Sequence, residues 1–198
     1  MIFSEDTFLK VNIRSNKKRI CKMKNVCVFC SSKLGSEKVY AGNAALMGKL
    51  LAQNGFGLVF GGVNIGFMNI VASAVADNGG KVISIVPDEF HDMSFERSSE
   101  IILVENLAQR KRRMIALSNA FVALPGGIGT LNEITEVACQ ATLGHCNKPM
   151  VLLNTGGFYN TLQYFFAKMW DQGMLDRQYF FELASECQDV INILTKTT

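Results

Sequence analysis

Two glycine-rich turns carry residue types that could bind a phosphorylated ligand. The first turn, residues 60–68, reads FGGVNIGFM, and the second, residues 125–133, reads PGGIGTLNE. Because glycine lets a backbone approach a ligand closely and a helix start offers unpaired N–H groups, both turns predict contacts to an anion. The predicted binding residues are Gly61, Gly62, Gly66 and Met68 in the first turn and Gly126, Gly127, Gly129 and Thr130 in the second.

A basic run, QRKRR at residues 109–113, lies on a predicted helix between the two turns. At 3.6 residues per turn, Arg110 and Lys111 fall inside the apolar stripe of this helix. Arg112 and Arg113 flank the stripe or face outward. An unpaired charge near the core is costly, so Arg110 and Lys111 need an anionic partner, which is either a protein carboxylate or a ligand phosphate. Lys111 is accordingly a candidate phosphate-binding residue.

Glu133, at the end of the second turn, has two interpretations. The spacing Thr130-Leu131-Asn132-Glu133 matches the capping box, in which the first and last side chains satisfy backbone N–H groups at a helix start. Alternatively, the preceding glycines bring Glu133 to a ligand-facing edge, where its carboxylate can take part in chemistry. Glu136, one helical turn further on, points away from the apolar face and is predicted to be solvated.

A carboxylate and a guanidinium at one phosphate-binding crevice suit the cleavage of an N-glycosidic bond. Positive charge develops on the ribose ring in that reaction, as in glycoside hydrolysis generally. Glu133 can stabilise this charge or activate water, while Arg110 positions the sugar or the phosphate. This chemistry needs neither a histidine nor a cysteine nucleophile.

Alternating strand and helix patterns surround these residues. Strands are predicted at 26–29, 57–60, 82–86, 101–104, 120–124 and 150–153, and helices at 40–53, 68–77, 107–118, 130–143 and 158–172. Residues 88–100 are predicted to form an irregular loop, and the tail a short segment at 179–183 and a helix near 189–195. Continuous apolar strands between helices predict a doubly wound, Rossmann-like α/β fold, a single parallel sheet with helices on both faces. Both glycine turns then lie at the carboxyl edge of the sheet, where ligands bind in such folds.

Length and charge limit the possible domain organisations of the chain. The 198 residues are 48% hydrophobic, which suffices for one full core, and we predict a single domain over 25–198. Residues 1–24 carry seven Lys or Arg against two acidic residues, a balance of +5 that leaves −2 for the rest of the total of +3. We therefore predict a basic, flexible extension over 1–24 and no nucleic-acid partner for the body. No apolar stretch follows these charges, which disfavours a secretory signal and leaves a transit peptide open.

Cysteine usage and hydropathy indicate a cytoplasmic protein without a membrane partner. The longest apolar runs are strand-length, so no transmembrane helix is expected. Cys27 and Cys30 have redox spacing, but Cys27 sits inside a strand pattern, which favours buried thiols in a reducing cytosol. Only His91 and His145 could supplement the thiols in a zinc site, so no metal site is predicted.

The basic run and the second turn together resemble the paired RKxxM and PGGxGTxxE motifs of the LONELY GUY (LOG) family, and the likeness runs roughly from Val26 to Gln178. Its members are cytokinin riboside 5′-monophosphate phosphoribohydrolases, long mislabelled as lysine decarboxylases. The resemblance implies hydrolysis of a nucleoside 5′-monophosphate to free base and ribose 5-phosphate, with no cofactor. It also implies that Arg110 and Glu133 are catalytic, that residues 126–130 bind the 5′-phosphate, and that the protein is a homodimer with active sites near the subunit interface.

Several positions depart from the family pattern. The first turn of the family usually reads GGGxxGLMG, whereas Val63 and Asn69 stand here in place of the third and last glycines. Leu107-Ala108 stands where a Met-His pair is common. A Cβ at Val63 restricts how closely the backbone approaches a ligand. Arg110 and Glu133, the implied catalytic residues, are retained. The departures therefore concern the identity of the substrate's base, which this comparison leaves open between adenine and a cytokinin.

Two other function classes fit parts of the pattern. A non-catalytic nucleotide-binding or carrier module could use the same fold, because fold does not fix function. Release of product would separate an enzyme from such a module. A dinucleotide-dependent oxidoreductase is disfavoured because neither turn reads GxGxxG.

Overall fold

The computed structural model describes residues 24–176 and 180–197. Within these residues, seven strands form one sheet: β1 (Asn25–Phe29), β2 (Gly57–Phe60), β3 (Val82–Pro87), β4 (Glu100–Val104), β5 (Ala120–Ala123), β6 (Met150–Leu153) and β7 (Glu182–Ala184). The helices are α1 (Lys38–Gln53), α2 (Gly66–Asp77), α3 (Leu107–Leu117), α4 (Ile128–Thr142), α5 (Asn160–Asp171) and α6 (Cys187–Thr197). Two short 3-10 helices span Asp88–Met93 and Thr155–Gly157.

Every strand pair of the sheet is parallel, and the strand order is β4-β3-β2-β1-β5-β6-β7. The chain builds outward from β1 to β4, then returns to place β5 on the other side of β1. The strand order therefore reverses between β1 and β5. In open α/β sheets, such a reversal opens a crevice beyond the carboxyl ends of the two strands.

Helices cover both faces of the sheet. On one face, α1, α2 and α6 pack against the sheet through buried side chains that include Met47, Phe67 and Val190. On the other face, α3 and α4 contribute Met114 and Ile134 to a second core, against which α5 also packs. This is the doubly wound arrangement that the strand and helix patterns predict.

Several elements differ from the sequence-based expectation, and α1 and α2 each begin two residues earlier than predicted. Residues 88–93, expected to be irregular, form a 3-10 turn. Helix α4 begins at Ile128 and not at Thr130, because Gly127 adopts the extended N-cap conformation and lets the next two residues join the helix. The last strand lies at Glu182–Ala184, slightly beyond the predicted segment at 179–183, of which residue 179 lies outside the described residues.

The cysteines divide between the two cores. Cys27 packs in the core beside α3 and α4, whereas Cys30 packs in the core beside α1 and α2, so the two thiols occupy opposite faces of the sheet. Five cysteines of the described chain are free, and Cys139 alone among them is exposed. In the described chain, no helix has both the length and the apolar character needed to cross a bilayer. The predicted basic extension lies outside the described residues, apart from Lys24.

Candidate active site

A cavity of about 470 Å³ opens at the carboxyl edge of the sheet, between the segments that follow β1 and β5. Its volume falls in the range of roughly 300–1,000 Å³ that is typical of small-molecule sites. The predicted site residues on its wall are Met68, Arg110, Gly127, Gly129, Thr130 and Glu133. The cavity thus occupies the crevice that the reversal of strand order creates.

Arg110 and Glu133 form an ion pair on this wall. Arg110 projects from α3 and Glu133 from α4, and the guanidinium Nη2 donates to the carboxylate Oε1 at 2.9 Å. Only 16% of the Arg110 side chain and 10% of the Glu133 side chain are exposed. The anionic partner that Arg110 requires is therefore a protein carboxylate.

Burial gives the Glu133 carboxyl group unusual electrostatics. Desolvation raises its pKa above the ordinary value, and the positive charges of Arg110 and then Lys111 oppose this rise. Carboxyl groups that do acid–base work commonly have pKa values raised in this way. Glu133 is therefore a desolvated carboxyl group whose negative charge is partly balanced by the Arg110 guanidinium.

Glu133 does not cap α4. In a capping box Thr130 would be the residue just before the helix, but α4 begins at Ile128, and Thr130 lies inside its first turn. Gly127 is the N-cap residue, and as a glycine it has no side-chain oxygen to offer the first N–H groups. These groups are left for another acceptor, and the Glu133 carboxylate is free to pair with Arg110.

The second glycine turn is shaped around Thr130. A Cβ added at Gly126 would collide with the Thr130 hydroxyl and lie 2.6 Å from its Cβ, so only glycine fits there. A Cβ added at Gly127 or Gly129 would meet nothing within 4 Å. Gly126 therefore keeps the turn tight, while Gly127 and Gly129 keep open space at the start of α4.

Two buried polar atoms of the cavity residues lack a partner. Within the described chain, the Arg110 Nε and the Thr130 Oγ1 are the only buried side-chain nitrogen or oxygen atoms without a hydrogen bond. Buried polar groups are nearly always satisfied in folded proteins. Both residues line the same cavity.

The first glycine turn lines the cavity through its larger side chains and not through its predicted glycines. Met68 contributes to the cavity wall, whereas Gly61, Gly62 and Gly66 do not contribute to it in the described chain. A Cβ at Gly61 would lie 3.3 Å from the Arg110 Nη1, so this glycine makes room for the guanidinium. Gly62 has a φ of 81°, and a Cβ at Gly66 would collide with the Ser32 backbone. Both positions therefore require glycine for the conformation or close packing of the backbone.

Lys111 does not line the cavity in the described chain. Its Nζ donates to the Asn132 Oδ1 at 2.8 Å and to the Glu136 Oε2 at 3.3 Å. Glu136, expected to be solvated, is thus a partly exposed ion-pair partner, and its pKa is lowered mainly by a hydrogen bond from Gln140. Lys111 therefore acts on Glu133 only through its positive charge. Arg112 and Arg113 are exposed, as expected.

An apolar part of the wall was not expected from the sequence. The 3-10 turn after β3 brings Phe90 and Met93 to the cavity. This turn is fixed to the first glycine turn, because the Asn64 amide donates to the Met93 carbonyl at 2.8 Å and the Phe95 amide to the Gly62 carbonyl at 2.8 Å. The further wall residues include Ser31, Ser32, Lys33, Ile65 and Ile128.

Some of the positions that depart from the family pattern also lie on this wall. Val63 and Leu107 both line the cavity, beside the turn that carries Phe90 and Met93. Asn69 and Ala108 do not line the cavity in the described chain, and Arg110 and Glu133 match the family pattern.

The chain is similar to curated plant enzymes and matches a family model. A model described as "Possible lysine decarboxylase" matches residues 68–197. Cytokinin riboside 5′-monophosphate phosphoribohydrolase LOG3 of Arabidopsis thaliana is 38% identical over 167 residues, which is 83% of this chain and 78% of that protein. Probable cytokinin riboside 5′-monophosphate phosphoribohydrolase LOGL2 of Oryza sativa subsp. japonica is 40% identical over 156 residues, 78% of this chain and 64% of that longer protein.

Solved structures share the fold at lower identity. The molybdenum cofactor carrier protein of Chlamydomonas reinhardtii superposes with a TM-score of 0.70 at 23% identity, covering 89% of this chain and 98% of that one. The molybdenum cofactor binding protein of Rippkaea orientalis superposes with a TM-score of 0.69 at 22% identity and the same coverage. The sequence matches are more specific than these fold matches, and they show that this chain belongs to the LOG family of cytokinin riboside 5′-monophosphate phosphoribohydrolases.

Proposed function

We propose that this protein hydrolyses the N-glycosidic bond of a purine-type nucleoside 5′-monophosphate, releasing the free base and ribose 5-phosphate. One observation carries the proposal: Arg110 and Thr130, each with a buried polar atom that has no partner, line the same cavity as the desolvated carboxyl group of Glu133. A ligand with an anionic end and a cleavable bond satisfies all three groups.

The phosphate end of the substrate would bind at the start of α4. The first N–H groups of a helix attract anions through their unpaired donors and through the helix dipole. Gly127 leaves these donors uncapped, Gly129 keeps space before them, and a rotation of the Thr130 hydroxyl group toward the cavity would add one more donor. The start of α2 is less suited to this task, because its Phe67 amide already donates to the Ser31 carbonyl at 3.0 Å.

The reacting bond would lie between this phosphate position and the ion pair. As the C1′–N bond breaks, the ribose ring gains positive charge, a water oxygen bonds to C1′, and a proton from the water passes to the departing base. The Glu133 carboxylate would stabilise the ring charge or accept the water's proton. Arg110 would keep that carboxylate ionised and orient the sugar, so the reaction needs no cofactor.

The base would pack on the apolar part of the wall. Phe90, Met93 and Leu107 offer flat and flexible apolar surface of the kind that a purine ring or an alkyl substituent contacts. This part of the site distinguishes adenine from a cytokinin base, and its size and shape in this chain depend on Val63 and Leu107. Adenosine monophosphate and a cytokinin nucleotide are therefore the two substrates to compare.

The test is release of free base from adenosine monophosphate and isopentenyladenosine monophosphate, measured by chromatography. Glu133→Gln should abolish release, since it keeps the size of the side chain and removes its charge. Glu136→Gln is the matched control, because Glu136 lies one turn along the same helix and outside the cavity. We expect it to retain activity near the wild-type level.

The two results that contradict the proposal have different meanings. Thermal stabilisation by a nucleotide that remains intact would favour a binding or carrier module, the class to which the named structural neighbours belong. Base release that persists in Glu133→Gln would place the chemistry on other residues. Preference for one of the two nucleotides would identify the base.

We also propose that the protein is a homodimer. An apolar groove of about 390 Å³ lies between α4 and α5, and its wall includes Ile128, Leu131, Phe165 and Met169. The Ile128 side chain is 83% exposed and lines both this groove and the cavity. A second copy seated on the groove would cover this apolar surface and lie against the mouth of the active site.

The cellular setting is part of the same proposal. Buried free thiols at Cys27, Cys30 and Cys146 suit a reducing compartment, so we propose a cytoplasmic location. Outside residues 1–24 the chain carries a charge of −2 out of a total of +3, so the proposed partners are a small nucleotide and a second copy, and not nucleic acid or a membrane.

A further inference from the structure

Tyr159 lies behind the active-site cavity without lining it. Its side chain is buried in the core beside α4 and α5, and its hydroxyl donates to the Leu124 carbonyl at 2.6 Å. Leu124 follows β5 directly and is the last residue before the second glycine turn. Burial raises the pKa of the Tyr159 phenol, so the group stays protonated and remains a donor.

The bond from Tyr159 completes the anchorage of Leu124. The Leu124 amide donates to the Phe29 carbonyl of β1 at 2.9 Å. Pro125, which comes next, has no amide hydrogen and so cannot fix the turn by donating a hydrogen bond. The Leu124 carbonyl is therefore the last backbone group held by the protein before the chain turns toward Gly127.

Tyr159 is itself held in place by the end of β6. Its amide donates to the Asn154 Oδ1 at 2.7 Å, and the Asn154 Nδ2 donates to the Asn160 Oδ1 at 2.8 Å. The Asn154 amide in turn donates to the Ala184 carbonyl of β7 at 2.7 Å. A continuous chain of hydrogen bonds thus links the edge of the sheet to the turn before α4.

We propose that Tyr159 is a positioning residue that sets the second glycine turn, and with it the start of α4, for the phosphate of the substrate. The inference rests on the proposed function, since it concerns how the same site binds its ligand. Without the phenol hydroxyl, the buried Leu124 carbonyl would lose its partner and the turn would be free to shift. Misplacement of binding groups by a fraction of an ångström is enough to weaken binding.

The test compares Tyr159→Phe with Tyr164→Phe, whose parent side chain is exposed on α5, the helix that begins directly after Tyr159, and does not line the cavity. Calorimetry would give the Kd of ribose 5-phosphate and of adenine for each protein. We expect Tyr159→Phe to raise the Kd of ribose 5-phosphate roughly tenfold, the loss typical of a hydrogen bond that organises a site, with the Kd of adenine unchanged. In turnover of adenosine monophosphate, KM should rise more than kcat falls.

A purely structural role would give a different pattern. Equal weakening of both ligands, or unchanged binding of ribose 5-phosphate, would overturn the positioning role. Asn154→Ala provides a second variant, because it releases the Tyr159 amide and keeps the phenol, and it should shift the same Kd in the same direction by a smaller factor. A wild-type protein that binds no ribose 5-phosphate would contradict the proposed function itself, which separates that failure from the failure of the inference.

Discussion

At the scale of single residues, the active site is built from groups that the folded chain alone leaves incompletely satisfied. Glu133 is desolvated and only partly compensated by Arg110, and the Thr130 hydroxyl and the Arg110 Nε have no partner. Such groups reduce the stability of the free protein. Their retention at one cavity is explained when a ligand satisfies them on binding.

Replacing Thr130 with valine should therefore change stability and binding in opposite directions. Thr130→Val keeps the shape of the side chain and removes a buried hydroxyl that lacks a partner, so it should raise the free energy of unfolding by about 1 kcal/mol. The same change removes a phosphate donor and should raise the KM for adenosine monophosphate about tenfold. Urea unfolding and steady-state kinetics measure the two effects, and Thr130→Ser, which keeps the hydroxyl, should restore the KM. A variant that loses stability and keeps its KM would contradict the assigned role.

The pH profile of activity should respond to Lys111. In the proposed mechanism catalysis requires the Glu133 carboxylate, so kcat/KM should fall as the pH decreases through the raised pKa of this group. The Lys111 charge lowers that pKa, so Lys111→Met should raise it and move the acid limb of kcat/KM to higher pH. Arg113→Met removes an exposed charge from the same helix and serves as the control, which should leave the limb in place. An acid limb that is unchanged in Lys111→Met would show that another group controls it.

At the scale of elements, the sequence predicts most strands and helices because each strand is a short apolar run between helical patterns. It misplaces the start of α4 because Gly127, an N-cap without a side chain, gives no polar capping signal, whereas Thr130 imitates one. The 3-10 turn at residues 88–93 is held by backbone hydrogen bonds to the first glycine turn. Such contacts between distant segments produce no periodic pattern in the sequence. The apolar wall that this turn contributes was missed for the same reason.

The sequence also could not separate Arg110 from Lys111. Helical periodicity puts both in the apolar stripe of α3, but their partners lie on α4, one turn apart, at Glu133 and Glu136. The packing of α3 against the sheet and α4 decides which cation faces the cavity, and this is a tertiary property. The local sequence pattern therefore identified Arg110 and Lys111 as candidates, and the packing of the helices determines which of the two lines the cavity.

The second glycine turn offers a matched pair of substitutions. Gly126→Ala places a Cβ against the Thr130 side chain and should lower the free energy of unfolding by roughly 1–3 kcal/mol, as overpacking does in general. Gly127→Ala meets nothing within 4 Å and should fold with near-normal stability, but its methyl group occupies space at the phosphate position. Thermal unfolding and calorimetry with ribose 5-phosphate measure both. Equal stability of the two variants, or normal phosphate binding by Gly127→Ala, would contradict this account of the turn.

At the scale of the whole molecule, the order of the strands explains why the site lies where it does. The reversal between β1 and β5 brings together the segment after β1, the start of α4 and the ion pair of Arg110 and Glu133. The structural neighbours named as molybdenum cofactor carriers share this fold, so the fold by itself does not distinguish binding from catalysis. In the proposed function the distinction depends on the Glu133 carboxylate, which is why the Glu133→Gln experiment tests it.

The proposed dimer makes a prediction about size and activity together. Phe165 is 58% exposed and lines the groove between α4 and α5, whereas its neighbour Tyr164 is 71% exposed and does not line it. Phe165→Glu would bury a charge against apolar surface in the dimer, so it should halve the mass measured by light scattering after gel filtration, while Tyr164→Glu leaves the mass unchanged. Because Ile128 belongs to both the groove and the cavity, loss of the partner should expose the mouth of the active site and lower kcat/KM. A wild-type protein that runs as a monomer, or a Phe165→Glu variant that remains a fully active dimer, would show that the second copy binds elsewhere or not at all.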